Sequence, residues 1–204
     1  MSPKIIALTC GEPSGIGSEI TLKAWEELKQ ELVFFWIGDP SHLPEGSNYK
    51  LISVPKDAIK TMPNALPVLP FNFPFPTRFG VPDLRNAKAV VDVLLKAVEI
   101  TREGQASAIC TLPIVKQVLQ DGASFKYSGH TDFLAAISNA KCPVMMLISP
   151  ELKVVPATIH IPLSQVADSL KSSNLQDIVE ITNSALKKHF KISNPTIAIA
   201  GLNP

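Results

Sequence analysis

Cysteine is scarce in this chain. Cys10, Cys110 and Cys142 are far apart and odd in number. That excludes a disulfide framework and a zinc knuckle, and fits reduced thiols. No basic run stands out and the formal net charge is +1, which argues against a nucleic-acid surface. No stretch approaches the ~20 apolar residues of a membrane span. The N-terminus is apolar from Ile5 to Leu8, but Gly11-Glu12-Pro13 breaks the run too early for a signal peptide. A soluble, cytoplasmic protein is expected, with no nucleic-acid or membrane partner. Also missing are Gly-x-Ser-x-Gly, His-Glu-x-x-His and Cys-x-x-Cys, which excludes the common serine hydrolase, zinc protease and thioredoxin-like readings. No internal repeat is present.

What is present suits a globular fold. The 204 residues are 46% hydrophobic, and a chain of this size buries roughly 70% of its unfolded surface. Lys4–Thr9 reads as a buried strand. Cys10 to Gly17 is a glycine-rich turn, and Ser18–Gln30 a helix with Ile20, Ala24, Leu28 and Trp25 inward. The glycine spacing matches neither the dinucleotide GxGxxG nor a P-loop. A tight turn and an anion-contacting loop both remain open. Glu31–Gly38 is a second buried strand and Lys50–Val54 a short third.

Seven prolines between Pro55 and Pro82 forbid a long helix. This segment is expected to wrap the surface, with Ala65–Leu69 an edge strand and Phe71, Phe73, Phe75 and Phe79 seeking something to pack against. Asp83–Glu103 is the clearest helix, with Ala87, Val90, Val91, Leu94, Leu95 and Val98 on one stripe. Ser107–Thr111 is the next strand, and a short helix runs from Leu112 to near Gly122. Pro143–Ser149 and Leu152–Ile159 can pair as a hairpin. Helical patterns follow at Ser164–Leu170 and Leu175–Phe190, then a strand at Pro195–Ala200. Strands alternate with helices, which predicts an α/β fold with a largely parallel sheet flanked by helices in three layers. The chain could be one large domain or two small ones, and no internal boundary is assigned within 1–204.

The chemistry gathers at Tyr127-Ser128-Gly129-His130-Thr131-Asp132-Phe133. Ser128 and Thr131 can cap a helix. His130 then projects from a helix N-terminus, which favours anions. An ordinary capped helix with a surface histidine is the competing reading. His42 is expected to be solvated and His189 to sit at a helix C-terminus. His160 is expected at the end of an apolar strand, where it is either a hydrogen-bonded core-edge residue or a ligand. Two histidines do not complete a catalytic metal site, which usually takes three protein ligands. Lys116, at a helix start just after a strand, suits a phosphate or carboxylate, or is a solvated first-turn residue. Glu12 and Asp132 are unpaired candidate acids.

Four motifs in order resemble the 4-hydroxythreonine-4-phosphate dehydrogenase family. They are Gly11-Glu12-Pro13-Ser14-Gly15-Ile16-Gly17, Gly129-His130-Thr131-Asp132, His160-Ile161-Pro162-Leu163 and Gly201-Leu202-Asn203-Pro204. The resemblance spans the whole chain and matches about the first three fifths of such an enzyme. It implies an isocitrate/isopropylmalate dehydrogenase-like fold lacking its C-terminal part. It also implies oxidation of 4-phosphooxy-threonine by NAD, with decarboxylation, in pyridoxal phosphate biosynthesis. His130 and Thr131 would hold a phosphorylated substrate, and His160 would ligate a divalent metal (zinc, magnesium or cobalt). Lys116 would bind or polarise substrate. No residue here is assigned to NAD. The resemblance further implies a homodimer. Leu112 and Val115 depart from the pattern and put a bulkier loop beside Lys116. The chain alone is expected to be inactive. Two alternatives stand: a relative acting on threonate or erythronate 4-phosphate or a cyclic dihydrodiol, and a non-catalytic ligand-binding or dimerising module.

Overall fold

The computed structural model describes residues 4–202. They form two compact units, Met1–Ser138 and Asn139–Pro204. The first carries a five-stranded sheet built from β1 (Ile5–Thr9), β2 (Val33–Gly38), β3 (Tyr49–Leu51), β4 (Leu66–Pro70) and β5 (Ala108–Thr111). The order is β3-β4-β2-β1-β5 and every pair is parallel. Central strands of such sheets are buried on both faces and read as continuous apolar runs. Ala7, Phe35, Trp36, Ile37, Leu66 and Val68 meet that rule at 1% exposure or less. The helices are α1 (Gly17–Leu28), α2 (Ala58–Thr61), α3 (Ala87–Arg102), α4 (Lys116–Ala123) and α5 (His130–Ser138).

β4 is an inner strand, not the expected edge. Its two prolines sit where a missing N–H loses nothing. The Leu66 amide donates to Asn48 O, and Val68 O accepts from Ile52, so even-numbered residues face β3. Pro67 therefore points toward β2, but that ladder begins only at Val68. Pro70 points toward β3, past the end of that ladder at Val68. Proline is tolerated in a sheet only at positions of this kind.

Two helices follow their periodicity except at one position each, Ile20 and Leu95. In α1 the buried residues are Ser18, Thr21 and Trp25, while Ile20 is exposed. The helix start is pressed onto the glycine loop, and the Trp25 indole N–H donates to Met62 O at 2.8 Å. These two ties set the rotation. In α3, Val90, Leu94 and Val98 are buried as expected, but Leu95 is exposed and Val93, Ala97 and Ile100 are buried instead. The helix serves two clusters. Val93, Ala97 and Ile100 pack on the sheet core, and Ala87, Val90 and Leu94 pack with Val118, Leu119, Phe125 and Phe133.

The phenylalanines after β4 find partners unevenly. Phe71 and Phe73 pack on the core. Phe75 lies under the Arg85 guanidinium at 4.1 Å. Buried Asn86 holds the Phe75 backbone, accepting from its N–H at 3.2 Å and donating to its carbonyl at 3.0 Å. Phe79 remains exposed.

The second unit holds β6 (Leu147–Ile148), β7 (Lys153–Val154), α6 (Val166–Ser169) and α7 (Ser172–Lys188). β6 and β7 pair antiparallel, which is the expected hairpin in shortened form. His189 caps the C-terminus of α7, its N–H donating to Ala185 O. Residues 195–200 form no strand among the described residues. Asn203-Pro204 of the fourth motif lies outside the described residues. No described helix is long and apolar enough to cross a membrane.

Candidate functional site

Because all five strands of the first unit are parallel, their C-terminal ends lie along one border. Ligands in open α/β sheets bind outside that border. The loop after β1 carries the glycine-rich motif, and the loop after β5 runs directly into Lys116. These two loops interlock. Glu12 N–H donates to Pro113 O at 2.8 Å. Gly11 has φ of +68°, and a Cβ there would lie 2.4 Å from Pro113 O. A Cβ on Gly17 would lie 2.6 Å from Cys10 O. The glycines thus permit close backbone approach.

Leu112 resolves its departure from the family pattern. It is buried, and after Cys10 O its side chain is the next neighbour a Cβ on Gly17 would meet, at 3.2 Å, so its bulk fills the space under the glycine loop. Glu12 is also buried. Its carboxylate accepts from Ser14 N–H at 3.1 Å and Ser14 Oγ at 2.7 Å, which pins the turn. Burial pushes the Cys10 thiol far above its ordinary range, so it behaves as a small apolar core residue.

His130 opens α5, as expected from the motif. Phe125, Tyr127 and Phe133 form an aromatic triangle with centroids 5.1–5.2 Å apart, which fixes the entry to the helix. Asp132 is not a free acid, because Ser128 Oγ donates to it. Lys116 lies against the start of this helix. Its Nζ is 4.0 Å from where a Cβ on Gly129 would be. Lys116 makes no ion pair among the described residues. His130 is half-buried, and its Nε2 is sealed from solvent without a hydrogen-bond partner. Burial, and secondarily the Lys116 charge, hold the His130 pKa below its ordinary value. Thr131 is exposed in the first turn. A lysine, a helix N-terminus, a neutral imidazole and a hydroxyl together suit an anionic group such as a phosphate.

The Lys116 contribution is testable directly. In Lys116→Met, the His130 pKa should rise toward the ordinary histidine value, read from the ring Cε1–H shift in an NMR titration. An unchanged midpoint would mean that the ammonium does not act on the ring.

His160 lies in the second unit and is not at a strand end. β7 stops at Val154, because Pro156 has no N–H to extend a ladder. His160 is exposed, in a bend, with φ of +56°. No group of three or more His, Cys, Asp or Glu side chains that could hold a metal occurs among the described residues. His160 alone would supply one ligand, where a catalytic metal site usually takes three protein ligands.

His42 is the residue that composition and loop context mislead about. It is 3% exposed, not solvated. Its ring meets Phe73 edge-on at 4.7 Å, and its Nε2 lies 2.9 Å from Thr77 Oγ1. The signal for its burial was the run of phenylalanines some thirty residues on, which needed a partner.

An open parallel α/β sheet with Lys116 and the His130 helix start gathered after its last strand defines the class as a ligand-binding or catalytic α/β protein. The model of the family described as pyridoxal phosphate biosynthetic protein PdxA matches residues 29–204. The chain belongs to this family. It is 46% identical over 203 residues to a 4-hydroxythreonine-4-phosphate dehydrogenase of Ruegeria sp. (strain TM1040), covering 100% of this chain and 62% of the relative. The corresponding enzyme of Roseobacter denitrificans is 43% identical over 207 residues, covering 100% and 64%. The solved 4-hydroxythreonine-4-phosphate dehydrogenase of Klebsiella pneumoniae superposes with a TM-score of 0.89 at 28% identity, covering 98% of this chain and 64% of that one. A terephthalate 1,2-cis-dihydrodiol dehydrogenase structure from Burkholderia xenovorans, at 21% identity and TM-score 0.64, shares the fold. The chain thus spans less than two thirds of the length of these relatives.

Proposed function

We propose that this chain serves the NAD-dependent oxidation of 4-phosphooxy-threonine, followed by decarboxylation to 3-amino-2-oxopropyl phosphate, in pyridoxal phosphate biosynthesis. The observation that carries the reading is the meeting of Lys116 with the Gly129-His130-Thr131 helix start. In this reading the Lys116 ammonium and the α5 N-terminus attract an anionic group of the substrate. His130 and Thr131 hydrogen-bond it, and Lys116 also polarises it. NAD, when bound, accepts the hydride. His160 is carried as the family's divalent-metal ligand (zinc, magnesium or cobalt), and the active unit as a cytoplasmic homodimer. The present chain corresponds to the N-terminal portion of such an enzyme, and 1–204 acts as one functional portion.

The test is a substrate panel on the 204-residue chain, followed by the His130 ring resonances. 4-Phosphooxy-threonine should shift them. Lys116→Met and His130→Asn should each weaken binding about tenfold, the loss expected for one charge-assisted hydrogen bond. With NAD and a divalent metal added, no NADH should form, since the residues described supply one metal ligand. Tighter binding of threonate or erythronate 4-phosphate, or of a cyclic dihydrodiol, would replace the substrate. Absence of binding by every member would leave a non-catalytic module.

A further inference from the structure

Residues 71–82, between β4 and the first turn before α3, form a strap without regular structure apart from one turn. The strap is tied to the loop after β2 at its near end. Phe71 N–H donates to Gly38 O at 2.9 Å, and Phe73 N–H to Asp39 Oδ2 at 3.1 Å. Asn86 clamps Phe75 in the middle. At its far end the turn Arg78–Val81 presents Gly80, whose N–H donates to Ser14 O in the glycine-rich loop at 2.8 Å. Between the Asn86 clamp and that contact, Thr77 is held by His42.

We propose that His42 is a positioning residue for the glycine-rich loop: its bond to Thr77 holds the strap so that Gly80 braces Ser14. The brace depends on a neutral ring. His42 Nδ1 is sealed from solvent and has no hydrogen-bond partner. In the tautomer whose Nε2–H donates to Thr77 Oγ1, a second ring proton falls on Nδ1 and creates a buried donor without an acceptor, on a charged ring. The charged group bearing on the ring is Asp39, from its own loop; the strap faces it with Phe73 and Thr77, both uncharged. Burial outweighs the Asp39 attraction and holds the His42 pKa below its ordinary value. Between that lowered value and the ordinary one the latched state thus binds fewer protons than the released state, so the latched strap gains stability as pH rises through this window and loses it as pH falls. Asp39 does not titrate there. Against the opposing effect of burial, hydrogen bonds from Ser41 and Phe73 keep its pKa below the usual carboxylate value.

The experiment is amide exchange of the Gly80 N–H in the 204-residue chain at about pH 7.5 and about pH 5, corrected for intrinsic rates. In the wild type, protection should fall at least about tenfold at the lower pH. His42→Gln can still bond Thr77 but does not titrate, so its protection should be the same at both. Thr77→Val should be weakly protected at both. A His42→Gln variant as pH-sensitive as the wild type overturns the proposal, and so does a wild type with unchanged protection. Should His42→Gln fail to fold, the wild type decides alone. Protection of Gly80 should begin to fall as the pH drops below the ordinary histidine value and level off near the NMR midpoint of the latched His42 ring; a fall that starts only below that midpoint overturns the proposal.

Discussion

Gly11→Ala should destabilise the chain by about 3–4 kcal/mol, the combined cost of a left-handed backbone and an overpacked contact. Gly11 sits at φ +68°, where a side chain is strained whatever the space. Its added Cβ would also lie 2.4 Å from Pro113 O, which is backbone and cannot rotate away. Relief requires the loops after β1 and β5 to part, and Glu12 N–H then loses its bond to Pro113 O. Denaturant unfolding should show a lower midpoint with an unchanged slope. Because the loop after β5 leads into Lys116, the same variant should weaken the Lys116 effect on the His130 ring. A midpoint like that of the wild type would show that the two loops are not in contact.

Gly122→Ala should cost about 2–3 kcal/mol by overpacking. A Cβ on Gly122 would lie 2.2 Å from Leu84 O and 2.7 Å from Ala87 Cβ, at the first turn of α3. α4 would have to tilt off α3, opening the cluster of Val90, Leu94, Val118 and Leu119. Gly129→Ala is the control. Its nearest new contact is the Lys116 Cε at 3.7 Å, ordinary van der Waals distance, and its stability should move by less than about 0.5 kcal/mol. Equal midpoints for the Gly122 and Gly129 variants would sink the assigned α3–α4 packing.

How much of this was legible in advance depended on the range of the interaction. Local patterns placed the strands, α3 and the helix start at His130, because caps, glycines and apolar spacing act within a few residues. That Lys116 and His130 act on one substrate was implied by the motif resemblance, and their meeting at Gly129 was not legible from spacing. What escaped was set by partners far along the chain. Ala65–Leu69 looked like an edge because proline usually marks one, yet the register with β2 and β3 lets both prolines sit inside the sheet. Ile20 looked inward from its period, but a carbonyl at Met62 turns Trp25 and its helix face instead. His42 looked wet because its neighbours are proline and serine, while Phe73 and Thr77 bury it from 31 and 35 residues away. His160 looked like a strand end because apolar content was read without Pro156 as a stop.

The prolines of β4 carry one more consequence, for folding fidelity. A slip of β4 by one residue exchanges the sides to which its amides point. Pro67 would then stand opposite β3, in the middle of the ladder that Leu66 and Val68 now complete. Each lost donor leaves a carbonyl of the neighbouring strand unpaired, at about 1–3 kcal/mol where it is buried. The two rings therefore act as a lock on alignment. They are silent in the native sheet and costly in its nearest misfolded neighbour, so β4 has one acceptable way to enter between β3 and β2.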